Sequence, residues 1–226
     1  MGVEIKFCGL THPEDAQMAA SLGASYVGVI FVGGPRQVTP ERAKAVLAGV
    51  PGRVRRVGVF GAKSSLDGPS AVSRGAEIRR VVDQVGLDVV QLHGELTAQS
   101  VAELRDTLGG AVWAVARVSD ALPPDLASLI GASDGLLLDT YSASALGGTG
   151  ISFGWAAVAA ELQTIRGEKP IILAGGLRPE NVGEAISALA PDVVDVSSGV
   201  ESAPGIKDHE RMRAFRDAVL HASIST

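Results

Sequence analysis

The sequence has one cysteine among its 226 residues, so it forms no intrachain disulfide, as is typical of proteins in the reducing cytoplasm. Positive charge is also scarce, because 20 Lys and Arg face 25 Asp and Glu and give a net charge of −5. Nucleic-acid-binding proteins concentrate positive charge to neutralise phosphates, so this balance argues against that class. We therefore expect a cytoplasmic protein without a nucleic-acid partner.

Long apolar runs and metal-ligand motifs are missing as well. No apolar run approaches the roughly 20 residues of a membrane helix, because Gly, Pro or a charge interrupts each candidate. The segment Met1–Lys6 lacks the basic stretch and long apolar run of a signal peptide. With one cysteine and no His-x-x-His, the sequence indicates no metal site. Without a long apolar run, it also indicates no association with a membrane.

Short β-branched runs alternate with Ala-rich amphipathic stretches along the whole chain. Several of these runs are apolar on both faces, which is typical of parallel strands covered by helices. We predict eight strands: Val3–Cys8, Tyr26–Phe31, Arg55–Phe60, Val89–Leu92, Ala111–Arg117, Gly135–Asp139, Pro170–Ala174 and Val193–Val196. Eight strand–helix pairs take about 28 residues each, a little below the usual size of a (β/α)8 barrel.

The main structural alternative is a doubly wound open sheet. It rarely needs eight strands at this length, and no G-x-G-x-x-G follows the first strand. We therefore predict an α/β fold in which residues 1–226 form a single (β/α)8 TIM barrel.

Three helix starts have local signals. Thr11 and Glu14 have capping-box spacing, which predicts Thr11 as an N-cap. Thr39 precedes a proline at a first helical position, and Pro179–Asn181 is predicted to open another helix.

In a barrel the active site lies at the carboxyl ends of the strands, which selects few polar residues. Cys8 follows the first strand and Asp139 ends an apolar sixth strand. Burial would raise the pKa of Asp139 and suit it to donate a proton. Arg36 lies in the polar loop after the second strand, where it either binds a carboxylate or faces solvent. His93, which follows the fourth strand, is more typical of a structural histidine.

Glycine-containing segments follow the last two strands, at the place where many barrels bind phosphate on backbone N–H groups. They are Ala174-Gly175-Gly176-Leu177 and Asp195-Val196-Ser197-Ser198-Gly199. Glycine lets the backbone approach an anion closely, although the same residues also serve tight turns. Their position on consecutive final strands favours a phosphate site.

The chain resembles the phosphoribosylanthranilate isomerases, barrel enzymes of tryptophan biosynthesis, nearly from end to end. The segments that carry the resemblance are Lys6–Thr11, Val27–Phe31, Pro35-Arg36, Val57–Phe60, Val90–Glu95, Leu136–Thr140, Gly147–Gly150, Ala174–Leu177, Asp195–Glu201 and Pro204–Asp208. The matches at the first, sixth, seventh and eighth strand ends are specific as a set.

The resemblance implies an Amadori rearrangement of N-(5-phosphoribosyl)anthranilate to its 1-deoxyribulose 5-phosphate isomer, without metal or cofactor. It implies Cys8 as the general base and Asp139 as the general acid. The substrate-binding residues that we predict are Arg36, Gly148, Gly175, Gly176, Asp195, Ser197, Ser198 and Gly199. Since burial raises the pKa of a thiol, the thiolate of Cys8 needs a cationic intermediate or a positive group beside it.

Two residues depart from the family pattern near the sixth loop: Gly154 stands where aspartate is usual and Ile151 where lysine is common. We expect these departures to affect substrate affinity or choice rather than the acid–base pair. Two other functions stay open. A histidine-pathway isomerase would use aspartate in place of Cys8, and a barrel could bind a phosphorylated metabolite without turnover. The sequence is compatible with a monomer or a homodimer.

Overall fold

The chain folds as a closed barrel of eight parallel strands, in a computed structural model that describes residues 2–62, 71–118, 122–140 and 155–224. Each strand pairs with the next, and the eighth pairs with the first. The strands are β1 (Glu4–Phe7), β2 (Tyr26–Ile30), β3 (Arg55–Ala62), β4 (Val89–Gly94), β5 (Ala111–Val118), β6 (Gly135–Thr140), β7 (Ile171–Ala174) and β8 (Val193–Val196). The predicted (β/α)8 barrel is confirmed, and closure excludes the open sheet.

The helices follow the strands in the order that a (β/α)8 barrel requires. They are α1 (Pro13–Ser21), α2 (Pro40–Leu47), α3 (Ala71–Val85), α4 (Ala98–Leu108), α5 (Leu126–Ala132), α6 (Trp155–Ile165), α7 (Val182–Leu189) and α8 (His209–Ile224). After β8 come a 3-10 turn at Ser198–Val200 and a small antiparallel hairpin of β9 (Glu201–Ala203) and β10 (Ile206–Lys207). Within the described residues, no helix is long and apolar enough to cross a membrane.

Helix starts agree with the sequence where the cap is local. The hydroxyl of Thr39 accepts a hydrogen bond from the Arg42 N–H, as an N-cap does. The prediction for Thr11 is wrong: α1 begins at Pro13 after an extended His12, and the Thr11 hydroxyl donates to the Gly205 carbonyl instead. A residue before proline avoids the helical region, so the helix cannot begin earlier.

The prediction that Pro179–Asn181 opens a helix is wrong by three residues, because α7 begins at Val182. The helix begins late because residues 178–181 form a turn, in which the side-chain oxygen of Asn181 accepts a hydrogen bond from the Arg178 N–H. The segment around Asn181 therefore belongs to the loop after β7.

The barrel interior divides into an apolar lower part and a polar upper part. Side chains near the amino ends of the strands form a buried cluster that fills the lower part. Within it, the rings of Tyr26 and Trp113 pack edge to face, with 4.9 Å between the ring centroids. The larger core lies between the sheet and its helices. Alternate residues of each strand point into the barrel. Nearer the carboxyl ends of the strands, the residues that line the interior include the polar Gln91, Asp139 and Asp195.

Candidate active site

A cavity of about 710 Å³ opens at the carboxyl ends of the strands. Most of the predicted site residues line it together: Cys8, Arg36, Asp139, Gly175, Gly176, Asp195, Ser197 and Ser198. Gly199 lies next to them in the chain and packs its backbone against the loop after β7, since a Cβ there would sit 1.9 Å from the Leu177 carbonyl oxygen. Gly148, Ile151 and Gly154 lie outside the described residues.

Cys8 sits immediately after β1 and is held by the sheet. Its N–H donates to the Val196 carbonyl oxygen at 2.9 Å, which continues the ladder between β1 and β8. Its side chain lies beside Gly28 on β2, where a Cβ would come within 2.9 Å of the sulfur. Only 5% of Cys8 is exposed, and this burial raises the pKa of its thiol. The free protein therefore holds Cys8 mainly as a thiol near neutral pH.

A buried ion pair lies below Cys8. The ammonium of Lys6, whose side chain is 0% exposed, lies 2.7 Å from Oδ2 of Asp195, its register partner on β8. Burial lowers the pKa of Lys6, but Asp195 and Cys8 outweigh that effect and the pKa is raised. Lys6 is therefore a permanent cation inside the barrel at neutral pH.

Lys6 is not among the site residues predicted from the sequence, although its position in β1 contains a signal. Lys6 is the one charged residue among the three buried residues of β1, and it precedes Cys8 by two positions. Residues two apart on a strand share a face, so an inward-facing cysteine implies an inward-facing lysine.

Asp139 lies near the carboxyl end of β6, in register with Arg117 of β5 and Ala174 of β7, and it lines the cavity. Desolvation raises the pKa of this carboxyl, His93 and Arg117 oppose the rise, and the negative charge of Asp195 adds to it. His93 also lines the cavity, with its Nε2 3.5 Å from Nη2 of Arg117. The environment thus moves Asp139 toward its protonated form, as a proton donor requires.

Arg36 is held by a network of ion pairs and hydrogen bonds that was not predicted from the sequence. Its Nε and Nη2 donate to the two carboxylate oxygens of Glu201 at 2.8 and 2.7 Å, a bidentate pair. Lys207, from β10, donates to the same Glu201 at 2.8 Å and to the Ser197 carbonyl at 3.0 Å. The hairpin after β8 therefore fixes both the guanidinium of Arg36 and the loop of Ser197.

The loop after β7 has a conformation that requires glycine. Gly175 and Gly176 have φ values of 95° and 62°, in the left-handed region that other residues avoid. The buried Asn181 fixes this loop by donating to the Gly176 carbonyl at 3.1 Å and accepting from the Arg178 N–H at 2.8 Å. The loop is thus preorganised before any ligand binds.

The cavity wall contains polar atoms that lack partners. Among the described residues, the buried atoms Oε1 of Gln91, Oδ1 of Asp195 and Oγ of Ser197 have no hydrogen-bond partner, and all three residues line the cavity. A buried polar atom left unpaired is costly. Two of the three accept hydrogen bonds only, so the missing partner is a ligand or solvent that donates them.

The closed barrel and the cavity at its carboxyl-terminal rim define the protein as a (β/α)8-barrel enzyme. The family model described as N-(5'-phosphoribosyl)anthranilate (PRA) isomerase matches residues 5–218. The chain belongs to this phosphoribosylanthranilate isomerase family.

Relatives and solved structures agree with this assignment. The N-(5'-phosphoribosyl)anthranilate isomerase of Pseudomonas fluorescens (strain Pf0-1) is 38% identical over 226 residues, covering 96% of this chain and 98% of the relative. The Pseudomonas aeruginosa (strain UCBPP-PA14) enzyme is 40% identical over 218 residues, covering 96% and 95%. The Thermotoga maritima crystal structure has a TM-score of 0.79 at 32% identity, covering 97% and 99%. Another phosphoribosylanthranilate isomerase structure, in complex with reduced 1-(o-carboxyphenylamino)-1-deoxyribulose 5-phosphate, has a TM-score of 0.78 at 31% identity, covering 97% and 99%.

Proposed function

We propose that this protein is an isomerase that converts N-(5-phosphoribosyl)anthranilate to 1-(2-carboxyphenylamino)-1-deoxyribulose 5-phosphate in tryptophan biosynthesis. We place the reaction in the cytoplasm, on one barrel domain spanning residues 1–226, with the phosphoribosyl compound as its small-molecule partner. The observation that carries the proposal is that Cys8 and Asp139 line one cavity at the carboxyl ends of the strands.

The acid step falls to Asp139. Its protonated carboxyl donates to the furanose ring oxygen while the C1–O bond breaks, and the nitrogen lone pair forms the C1=N iminium. Desolvation, which raises the pKa of Asp139, increases the fraction of the carboxyl groups that carry this proton. The same shift makes the conjugate carboxylate a stronger base, which suits it to regain a proton after turnover.

The base step falls to Cys8. Its thiolate takes the proton from C2, the C2–H electron pair forms the C1=C2 bond, and the iminium nitrogen is neutralised. The resulting enolamine becomes the ketone when the C2 hydroxyl loses its proton and C1 gains one. The cationic iminium favours the thiolate at the moment when the base is needed.

Substrate binding uses the rest of the rim. We propose that the phosphate binds to the loops of Gly175–Gly176 and Ser197–Gly199, where backbone N–H groups can approach an anion. The unpartnered oxygens of Gln91 and Asp195 suit ribose hydroxyls, which donate hydrogen bonds. The Nε and Nη2 atoms of Arg36 donate to Glu201, which leaves Nη1 for another acceptor. We assign Nη1 to the carboxylate of the anthranilate group. Gly148 completes the proposed binding set from the sixth loop.

The test is an activity assay with freshly generated phosphoribosylanthranilate, followed by the loss of its fluorescence. Cys8→Ala and Asp139→Asn are each expected to lower kcat by about 10²–10⁴-fold, the range of a general acid or base. The matched control is Asp134→Asn, which removes a carboxylate at the opposite end of β6 and should retain activity.

Each other outcome selects a different function. A wild-type protein that binds the substrate without turnover would be a binding module. A protein that neither binds nor turns over this substrate would direct attention to the histidine-pathway compound. Full activity in both Cys8→Ala and Asp139→Asn would remove the proposed acid–base pair.

A further inference from the structure

Lys6 and Cys8 lie on the same face of β1, one above the other inside the barrel. Gly28 on the neighbouring β2 has no side chain, and the space beside it is shared by both residues. A Cβ at Gly28 would lie 2.9 Å from the sulfur of Cys8 and 3.3 Å from Cε of Lys6. The two side chains therefore approach the same point beside Gly28, and the ammonium of Lys6 and the thiol of Cys8 interact electrostatically.

Lys6 does not reach the cavity. It is completely buried, it is absent from the cavity wall, and its ammonium is fixed at 2.7 Å by Oδ2 of Asp195. A lysine below the floor cannot touch a substrate in the cavity above. Any effect of Lys6 on the reaction must pass through Cys8 or Asp195.

The charged groups around Cys8 come from four parts of the chain. Lys6 lies on β1, Asp195 on β8, Lys207 on β10 and Arg36 in the loop after β2, and each interacts electrostatically with the thiol. Glu201 pairs with both Arg36 and Lys207. Among these groups, three cations are paired with two carboxylates.

We propose that Lys6 is a positioning residue for the isomerisation, whose buried ammonium, anchored by Asp195, stabilises the thiolate of Cys8 without touching the substrate. The proposal rests on the proposed function in that Cys8 is taken as the base. It supplies, from the protein itself, the positive group that a buried thiolate needs.

The ionisation of the thiol agrees with this geometry. Burial is the largest influence and raises the pKa of Cys8, and the charge of Lys6 is the largest influence that lowers it. Asp195 raises the pKa again, to a smaller extent than Lys6 lowers it. The ion pair as a whole therefore favours the thiolate, although its two charges are opposite.

The direct test is a titration of the thiol in the free protein, followed by the ultraviolet absorbance of the thiolate. Cys8 is the only cysteine in the sequence, so it is the only source of thiolate absorbance. The absorbance of a Cys8→Ser variant, which retains both tyrosines, is subtracted to remove the contribution of ionised tyrosine. In Lys6→Met the thiolate fraction at pH values on the rising part of the wild-type titration should fall by about tenfold or more, as for the loss of an opposite charge at this range. Lys6→Arg, which keeps the charge, should restore most of it.

Two further variants separate charge from structural damage. The double variant Lys6→Met, Asp195→Asn replaces the whole ion pair by neutral groups of similar shape, and its thiol pKa should stay above that of the wild type. Lys207→Met is the matched control, because it also removes a fully buried lysine from a carboxylate at 2.8 Å. It should shift the thiol less than Lys6→Met, since Lys207 has the weaker influence on Cys8.

Kinetics of the isomerase reaction provide the second readout. In Lys6→Met, kcat should fall by the same factor as the thiolate fraction while KM changes little. An unchanged thiol titration in Lys6→Met, or equal shifts in Lys6→Met and Lys207→Met, would overturn the proposal. Since the titration needs no substrate, these results are independent of whether phosphoribosylanthranilate is turned over.

Discussion

Glu201 gives the sharpest stability prediction, because this one buried carboxylate pairs with two cations at the rim of the barrel. Its side chain is 4% exposed, and it accepts hydrogen bonds from Arg36 at 2.7 and 2.8 Å and from the fully buried Lys207 at 2.8 Å. Glu201→Gln keeps the shape and removes the charge. Breaking a buried pair from one side costs about 3–5 kcal/mol. This is a large fraction of the roughly 5–15 kcal/mol by which a domain is stable.

The assay is urea unfolding at pH 7, with the free energy of unfolding compared between the wild type and Glu201→Gln. The matched control is Glu180→Gln, which removes an exposed carboxylate from an ion pair with Arg178 at 3.5 Å and should cost less than about 1 kcal/mol. A cost for Glu201→Gln as small as that of the control would refute the network as a stabilising element.

The same variant makes a prediction about pH. Burial would raise the pKa of Glu201, but the hydrogen bonds from Arg36 and Lys207 outweigh it, and the pKa is lowered. A lowered folded-state pKa stabilises the protein above the unfolded pKa of about 4.3, and this contribution is lost as the pH falls through the folded value. The difference between wild type and Glu201→Gln should therefore be constant at neutral pH and shrink in acid. A difference that grew in acid would contradict the argument.

Two further substitutions test the loops proposed to hold the phosphate. Asn181→Ala removes the hydrogen bond to the Gly176 carbonyl, so KM should rise more than kcat falls in steady-state assays. Gly199→Ala would place a Cβ 1.9 Å from the Leu177 carbonyl oxygen, so it should lower the unfolding free energy by about 1–3 kcal/mol or more in urea. Gly131→Ala, with nothing within 4 Å, is the control and should not destabilise; equal effects of the two alanines would contradict the packing argument.

The strands were predictable because the signal for each is local. Runs such as Gly135–Asp139 and Ile171–Ala174 are apolar on both faces, which is typical of strands in a sheet covered on both sides. Cys8 and Asp139 were also found from their places at strand ends, since the barrel brings the carboxyl ends together.

The polar networks could not be predicted in the same way. Lys6 meets Asp195 across 189 positions of the chain, and Arg36 meets Glu201 across 165. Such pairs depend on barrel closure and on the register of the strands, which no local pattern specifies. The predicted start of α7 was wrong for a related reason, because the side chain of Asn181 stabilises a turn before the helix.

The proposed mechanism requires an unusual ionisation state. With free pKa values of about 8.5 for a thiol and 3.9 for an aspartic acid, only about one pair in 40,000 has the thiolate and the protonated acid together. Each unit by which the two pKa values approach one another raises this population tenfold. Desolvation of Asp139 raises its pKa toward that of the thiol, and the positive charge of Lys6 acts to lower the pKa of Cys8.

The most direct test of this account is the pH dependence of kcat/KM, measured beside the absorbance titration of the Cys8 thiol. When the base has the higher pKa of the pair, the rate is bell-shaped, the acidic limb follows Asp139 and the alkaline limb follows the thiol. We predict that the thiol titrates on the alkaline limb, where kcat/KM declines. A thiol that titrates on the acidic limb, where kcat/KM rises, would contradict the assignment of the two protons.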